Sequence, residues 1–189
     1  PDTQWKAAEA LGTLGEDALE DLLLGLSHRD RRVRLGIIEA LGDIGGPRTV
    51  RPLLGALSRE GGSEIRWATA LALGNTGDPA AIPALVQALQ DPDKYVRFGA
   101  AAALGKFGWE PADAEEKALA LIARQDWSSL LPLGPQAAEP LVRATRDKDP
   151  GIRAQAVRVL GEIGGPGADE ACDAVLRDPD DEVRWRATL

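Results

Sequence analysis

Apolar residues recur along the chain with the period of an α-helix, in short segments separated by polar turns. They follow the i, i+3, i+4, i+7 spacing that places side chains on one face of a helix. Three segments show this spacing, at Leu19, Leu22, Leu23 and Leu26, at Val50, Leu53, Leu54 and Leu57, and at Ile82, Leu85, Val86 and Leu89. No segment of useful length alternates apolar and polar residues as a half-buried strand would. The pattern therefore predicts helices throughout.

A second pattern follows these stripes: a branched apolar residue, an arginine and, several positions later, a closing Leu-Gly. It occurs at Val33-Arg34, Ile65-Arg66, Val96-Arg97 and Ile152-Arg153, and it opens again at Val183-Arg184. A copy without the arginine begins at Gln4. The arginines are separated by 32, 31, 56 and 31 residues. A period near 31 residues predicts stacked helical hairpins, with this motif in the second helix of each hairpin.

We therefore predict an all-α fold, an α-α superhelix (solenoid) of about six hairpins that forms a right-handed ribbon and one domain over residues 1–189. The gap of 56 residues between Arg97 and Arg153 predicts one shortened hairpin, an irregular unit around 109–134. In that unit, Ala114–Arg124 is the predicted first helix and 127–133 a stunted second one. The glycine that closes each motif is predicted to be a left-handed helix C-cap.

Composition narrows the classes of partner. The 189-residue chain has a formal net charge of −8, which disfavours nucleic acid and anionic membrane surfaces because both are negatively charged. No stretch approaches the roughly 18 apolar residues of a membrane-spanning helix. The single cysteine, Cys172, excludes an intrachain disulfide and suits a reducing compartment, so we predict a cytoplasmic location. The chain begins without methionine and stops inside a motif, from which we expect a fragment of a longer array.

One repeat carries a family resemblance. The segment Asp91-Pro92-Asp93-Lys94-Tyr95-Val96-Arg97, followed by Ala100-Ala101 and Ala103-Leu104-Gly105, resembles the HEAT-like repeat of the phycobilisome (PBS) lyases. The resemblance covers nearly the whole chain and implies a solenoid of the armadillo type. It also implies that the second helices line a concave face, and that their variable positions contact a partner.

Aromatic residues concentrate at one variable position, directly after the motif arginine. Four of the eight aromatic residues, Trp5 (after Gln4), Trp67, Phe98 and Trp185, occupy it. Large aromatic rings at such a position indicate a binding hot spot, although the same rings could instead pack on the neighbouring repeat. We predict that the partner-binding concave row consists of Trp5, Leu35, Trp67, Leu71, Tyr95, Phe98, Ala102 and Trp185.

The motif arginines are predicted to be structural. Acidic residues lie in the turn before each of them, so Arg–carboxylate pairs at repeat spacing would join neighbouring hairpins. This interpretation is preferred to a phosphate-binding role. The predicted ladder consists of Arg34, Arg66, Arg97, Arg153 and Arg184, with Asp30, Glu64, Asp93, Asp149 and Asp180 as the acidic partners.

No residue pattern indicates catalysis, a cofactor or a metal site. His28 is the only histidine, so clustered histidine ligands cannot form within the chain, and we expect His28 to be a surface residue. Cys172 falls at a core position of its repeat, and the acidic neighbours Asp169 and Asp173 disfavour a thiolate.

We therefore expect a non-catalytic scaffold that binds a protein or peptide on its concave face, and that associates with itself through its end repeats. Two alternatives remain open. One is a bilin lyase or lyase-like accessory subunit that holds a tetrapyrrole against the same aromatic row, which mixing with a bilin would reveal by a change in visible absorbance. The other is the sensor or regulatory segment of a larger signalling protein.

Overall fold

The structure, a computed structural model, describes residues 6, 15–58 and 62–188. Within these ranges it contains α-helices and short 3₁₀ segments but no strand, which confirms the predicted all-α solenoid class. The α-helices are α1 (Leu19–Gly25), α2 (Arg31–Ile44), α3 (Pro47–Ser58), α4 (Ser63–Asn75), α5 (Ile82–Ala88), α6 (Lys94–Lys106), α7 (Ala114–Arg124), α8 (Ala138–Ala144), α9 (Pro150–Ile163), α10 (Ala168–Val175) and α11 (Asp181–Arg186).

The chain forms two compact units, unit 1 (Pro1–Trp109) and unit 2 (Glu110–Leu189). In unit 1 the helices pair as hairpins, α1 with α2, α3 with α4 and α5 with α6, and the second helices α2, α4 and α6 pack side by side. In unit 2, α8 pairs with α9, and α9 packs against α11. The boundary between the units falls at the start of the predicted irregular segment. That residues 1–189 form a single domain stays a prediction.

Aspartates start most of the second helices. The side chains of Asp30, Asp93, Asp149 and Asp180 each accept a hydrogen bond from a backbone N–H two or three residues further on. Such a bond satisfies one of the amides that the first helical turn leaves without a partner. The polar turn between the two helices of a hairpin therefore sets where the motif helix begins.

Motif residues supply the core between the helices. The motif leucines Leu41, Leu73, Leu104 and Leu160 have no exposed side-chain surface, and the branched residue Val96 is equally buried. Each fully buried leucine contributes about 1.5–3 kcal/mol relative to an exposed one. The sequence positions that define the repeat motif therefore also form the core of the hairpins.

The motif glycines have a different role from the predicted one. Gly42 and Gly74 lie inside α2 and α4, and the left-handed caps come three residues after two of the motifs, at Gly45 (φ 67°) and Gly164 (φ 61°). The prediction of a C-cap at the motif glycine was therefore wrong. A Cβ on Gly42 would lie 2.8 Å from the Cα of Ala72, so the glycine lets adjacent second helices approach closely.

The irregular unit begins as predicted and then departs from a helical hairpin. Helix α7 has the predicted bounds, Ala114–Arg124, and ends at Gln125 in the left-handed conformation. In place of a second α-helix come two short 3₁₀ stretches within Ser128–Ala137, separated at Gly134, whose backbone is not helical. The first stretch ends where the predicted stunted helix over 127–133 ends, but it is 3₁₀ rather than α-helical. Two prolines inside this segment, Pro132 and Pro135, lack the N–H that an α-helix would use. Its Leu130 is fully buried in the core of unit 2.

Candidate partner-binding surface

The predicted row residues of unit 1 that the structure describes lie on its second helices and reach solvent. Leu35 (α2) and Leu71 (α4) are partly exposed, as is Ala102 (α6). Phe98 and Tyr95 expose 51% and 62% of their surface, which is far above the burial of a core aromatic residue. Trp5 lies outside the described residues, so its placement stays a prediction.

Trp67 combines the two roles that the sequence left open. Its ring lies over Gly99 of the adjacent helix α6, where a Cβ would be 3.0 Å from the indole Cδ1 atom. Yet 38% of the residue is exposed. The glycine therefore makes room for the ring to rest on the next repeat, while the remaining ring surface faces outward.

A groove runs along α4, the middle second helix of unit 1. It encloses about 460 Å³ and extends from Glu64 to Asn75, about 16 Å at the helical rise of 1.5 Å per residue. Helix α4 supplies its apolar floor, and α2 and α6 contribute to its flanks. Its lining residues are Leu35, Glu39, Glu64, Trp67, Ala68, Leu71, Ala72, Asn75 and Lys106. The groove thus brings together three of the predicted row residues, Leu35, Trp67 and Leu71.

Polar side chains border this apolar floor. At one end, Glu64 forms an ion pair with Arg31 at 3.0 Å, and both side chains are exposed. At the other end, the Lys106 ammonium donates a hydrogen bond to the Asn75 side-chain oxygen at 2.5 Å. The groove therefore has an apolar centre and polar ends, the arrangement that binding sites use for affinity and orientation.

The remaining row residues lie elsewhere. Tyr95 lines a separate pocket of about 340 Å³ on another side of Trp67. Phe98 and Ala102 lie four residues apart on α6 and do not line the groove. Trp185 belongs to unit 2, where it is 55% exposed and the Arg186 guanidinium lies 5.1 Å from its ring centroid.

Arginine–aspartate pairs join successive repeats within each unit. Arg66 binds Asp91 through two hydrogen bonds, Nε to Oδ2 at 2.7 Å and Nη2 to Oδ1 at 3.0 Å. Arg153 binds Asp178 in the same two-pronged geometry, with both distances at 2.8 Å. The hydrogen bond from Arg153 lowers the pKa of the Asp178 carboxyl, although partial burial acts in the opposite direction. These pairs are the type of ladder that the repeat spacing suggested.

The acidic partner lies two residues before the one named from the sequence. Asp93 and Asp180 cap their helices, whereas Asp91 and Asp178 bind the arginine of the preceding repeat. Glu64 pairs with Arg31 rather than with a motif arginine. The missed signal was a fixed offset of six residues before each motif arginine.

That offset also positions the arginine of the same repeat. The Nη1 group donates to the backbone carbonyl six residues earlier in four repeats, at distances of 2.5–2.8 Å. The pairs are Arg34 with His28, Arg97 with Asp91, Arg153 with Asp147 and Arg184 with Asp178. One turn residue thus accepts from its own arginine through the backbone and, in two repeats, from the previous arginine through its carboxylate.

His28 occupies this turn position in the first complete hairpin. Its Nδ1 accepts a hydrogen bond from the Asp30 amide at 3.0 Å, as the Asp91 carboxylate does from the Asp93 amide at 2.8 Å. His28 is only partly exposed. The sequence interpretation of a plain surface residue therefore missed a structural role that alignment on Arg34 would have indicated.

Cys172 is half-buried between the two hydrophobic clusters of unit 2. Burial raises the pKa of its thiol, and the carboxylates of Asp169 and Asp173 raise it further. The protonated thiol is a poor nucleophile and metal ligand. Among residues 6, 15–58 and 62–188, no group of three His, Cys, Asp or Glu side chains has the arrangement of a metal site. No helix within the same ranges has the length and apolar character needed to cross a bilayer.

Comparison with known families settles the class of repeat. The family profile described as HEAT repeats matches residues 1–74, 51–130 and 112–189, which together span the chain. The chain belongs to the HEAT repeat family. This match confirms the HEAT-like repeat class that the Val-Arg and Leu-Gly motif indicated. No curated protein sequence matches the chain significantly.

Solved structures of similar fold include three proteins of different kinds. Human deoxyhypusine hydroxylase is 20% identical, with a TM-score of 0.48 over 97% of this chain and 86% of that one. The complex of CpcE and CpcF of phycocyanin lyase from Nostoc sp. is 24% identical, with a TM-score of 0.48 over 89% and 74%. An engineered protein is 23% identical, with a TM-score of 0.44 over 99% and 88%.

Proposed function

We propose that this HEAT repeat chain is a non-catalytic scaffold that binds a peptide segment of another protein in the groove along α4. The observation that carries the proposal is the groove itself. It encloses about 460 Å³, has an apolar floor and is lined in part by the exposed aromatic Trp67. Pockets of a few hundred cubic ångströms with an apolar lining and a few polar groups are typical ligand sites. Solenoid repeats commonly use such extended surfaces for binding.

The groove dimensions favour an extended peptide. Its length of about 16 Å corresponds to roughly five residues of extended chain at about 3.3 Å per residue. Apolar side chains of the peptide would contact Trp67, Ala68 and Leu71, which would lose exposed apolar surface on binding. Asn75 and Lys106 at one end supply polar groups that can orient the peptide backbone.

A non-catalytic role is supported by the surroundings of the groups that could react. The Cys172 thiol has a raised pKa, and it belongs to unit 2, whereas all residues that line the groove belong to unit 1. The carboxylates of Asp91 and Asp178 are engaged by arginines in the ladder. The groove lining itself consists of apolar side chains, two glutamates, an asparagine and a lysine.

Selection from a random dodecapeptide library tests the proposal. We expect enrichment of peptides with closely spaced apolar residues on the wild-type chain. The selected peptides should bind the Trp67→Ala variant, and separately Leu71→Gln, at least about tenfold more weakly, because truncating hot-spot residues costs 1–2 kcal/mol or more. Leu24→Ala, which truncates an 80% exposed leucine on α1, should bind normally.

Two results would contradict the proposal. One is the absence of enriched peptides, and the other is unchanged affinity in both groove variants. Thermal unfolding of each variant separates binding from packing: the Leu71→Gln variant keeps the Trp67–Gly99 contact, so it remains informative even if the Trp67→Ala variant unfolds. A change in visible absorbance on adding a bilin, lost in the same variants, would instead assign the groove to a tetrapyrrole.

A further inference from the structure

A second pocket adjoins the groove and shares Trp67 and Glu64 with it. It encloses about 340 Å³ and is lined by Ser63, Glu64, Trp67, Asp93 and Tyr95. Two aromatic and two acidic residues therefore line one small space, whose surface is mostly apolar and whose lining includes no cationic residue. Of these lining residues, only Glu64 and Trp67 also line the peptide groove.

The two carboxylates of the pocket differ in how they are held. For Asp93, partial burial acts to raise the pKa, but hydrogen bonds from the Ser63 hydroxyl and from the Tyr95 and Val96 amides, together with the nearby charge of Arg66, lower it overall. Asp93 is therefore a fixed carboxylate at neutral pH. Glu64 forms only an exposed ion pair with Arg31, and such pairs are worth about 0–1 kcal/mol. A second cation can thus take the place of Arg31 at little cost.

The Tyr95 ring already accepts a cation from its own chain. The Lys94 ammonium lies 5.2 Å from the centroid of this ring, within the roughly 6 Å range of a cation–π contact. Tyr95 is 62% exposed, so most of its surface remains open to a ligand. Indole rings such as that of Trp67 are the strongest partners for this interaction.

We propose that this pocket recognises the basic side chain, lysine or arginine, of the peptide bound in the neighbouring groove. The inference rests on the proposed function, because Trp67 lines both spaces and would place the basic residue beside an apolar anchor. Glu64 and Asp93 supply the opposite charge, while Trp67 and Tyr95 enclose the alkyl stem and the cationic group. The net charge of −8 also favours the approach of basic peptide segments.

Single-residue probes test the pocket without a known partner. N-acetyl-lysine and N-acetyl-arginine methylamides are titrated against the ¹⁵N-labelled chain, and the Trp67 indole N–H resonance, assigned with Trp67→Phe, is followed by NMR. We expect saturable shifts in the millimolar range for both probes. The norleucine derivative, which has an uncharged side chain, should produce no saturable shift. Equal shifts with norleucine, or none with the basic probes, would overturn the inference.

A matched pair of variants tests the charge. Glu64→Gln should weaken the lysine probe about two- to fivefold, the range of an exposed ion pair. Glu20→Gln is the control, because Glu20 also pairs with an arginine, Arg48, on an exposed surface of unit 1 but does not line the pocket. Equal weakening in both variants would mean a general effect of net charge, and would also overturn the inference.

The peptides selected from the random library separate this inference from the proposed function. Enriched peptides that carry a lysine or arginine beside the apolar residues support both. Enriched peptides without a basic residue, together with no response to the lysine probe, would leave the groove as a peptide site and remove the cation pocket. A response to the lysine probe without any enriched peptide would remove the peptide-binding function and keep a small-cation site.

Discussion

Four motif arginines, Arg34, Arg97, Arg153 and Arg184, bind the turn that precedes their own helix. Arg97 shows this most clearly, because it is only 7% exposed and its Nη1 donates to the Asp91 carbonyl at 2.8 Å. A buried carbonyl that loses its donor costs about 1–3 kcal/mol, and the alkyl stem of the arginine contributes packing as well. This hydrogen bond therefore stabilises the turn and the second helix of one repeat.

Replacing Arg97 should lower stability and spare binding. We expect Arg97→Ala to reduce the free energy of unfolding by about 2–3 kcal/mol, and Arg97→Lys by less, since lysine keeps part of the stem. Urea unfolding measures the first effect, and calorimetric titration with a selected peptide measures the second. An unchanged unfolding midpoint with lost binding would place Arg97 in the binding site instead.

The Arg153–Asp178 pair predicts a dependence of stability on pH. The folded-state pKa of Asp178 is lowered, first by the hydrogen bond from Arg153, so the carboxylate stabilises the fold above the unfolded pKa near 3.9. That contribution is lost as pH falls through the lower folded pKa. Asp178→Asn should therefore cost about 2 kcal/mol at pH 7, because the pair is mostly buried.

Urea unfolding of Asp178→Asn and wild type at pH 7 and at pH 2 provides the measurement. The difference between the two proteins should shrink in acid, because the wild-type carboxyl then becomes protonated as well. A difference that stays constant or grows between pH 7 and pH 2 would contradict a contribution from the charge of Asp178.

Sequence reasoning found the arginines at this scale but misplaced their partners. It named Asp93 and Asp180 as acceptors because they lie in the turn just before a motif arginine. These residues instead cap the helix, a local role that the same residue type serves equally well. The stacking of the repeats places Asp91 and Asp178 against the arginine of the previous repeat.

Contacts between second helices depend on small residues at matched positions. A Cβ on Gly74 would lie 2.8 Å from the Cα of Ala103, a backbone atom that cannot rotate away. The same motif position in α9, Gly161, has no atom within 4 Å of the added group. The two glycines thus share a sequence environment but differ in their packing.

Alanine substitution at these two glycines should have opposite signs. In Gly74→Ala, the clash with α6 should outweigh the gain of about 1 kcal/mol in helix propensity, and reduce the free energy of unfolding by about 1–2 kcal/mol. In Gly161→Ala, the propensity gain should remain and stabilise the chain by about 0.5–1 kcal/mol. Thermal and urea unfolding of both variants decide this, and equal shifts would contradict the close-packing role of Gly74.

The helices themselves were predictable, whereas their ends and their contacts were not. Apolar periodicity and the branched-Arg motif located the described hairpins α1–α2, α3–α4, α5–α6 and α8–α9, and the bounds of Ala114–Arg124 agree with the prediction. The motif glycine suggested a cap because glycine is the usual residue there, yet α2 continues to Ile44 and is capped by Gly45. Close helix packing uses the same residue for a different reason, and periodicity cannot distinguish the two.

At the scale of the molecule, the repeated hairpin forms two compact units. The HEAT repeat match spans the chain, and the irregular segment begins where unit 1 ends. Like positions of successive repeats in unit 1 lie on adjacent second helices, which is how Leu35 and Trp67 come to line one groove. The repeat therefore creates a surface that no single hairpin has, while the identity of its occupant depends on the variable residues.

Photo-crosslinking tests this central claim most directly. A selected peptide that carries p-benzoylphenylalanine at its apolar anchor is irradiated with the wild-type chain, and mass spectrometry locates the attachment. The account predicts crosslinks within Ser63–Asn75 (α4), centred on Trp67 and Leu71, which disappear with excess unlabelled peptide. Crosslinks confined to the first helices α3 and α5, or to unit 2, would contradict it.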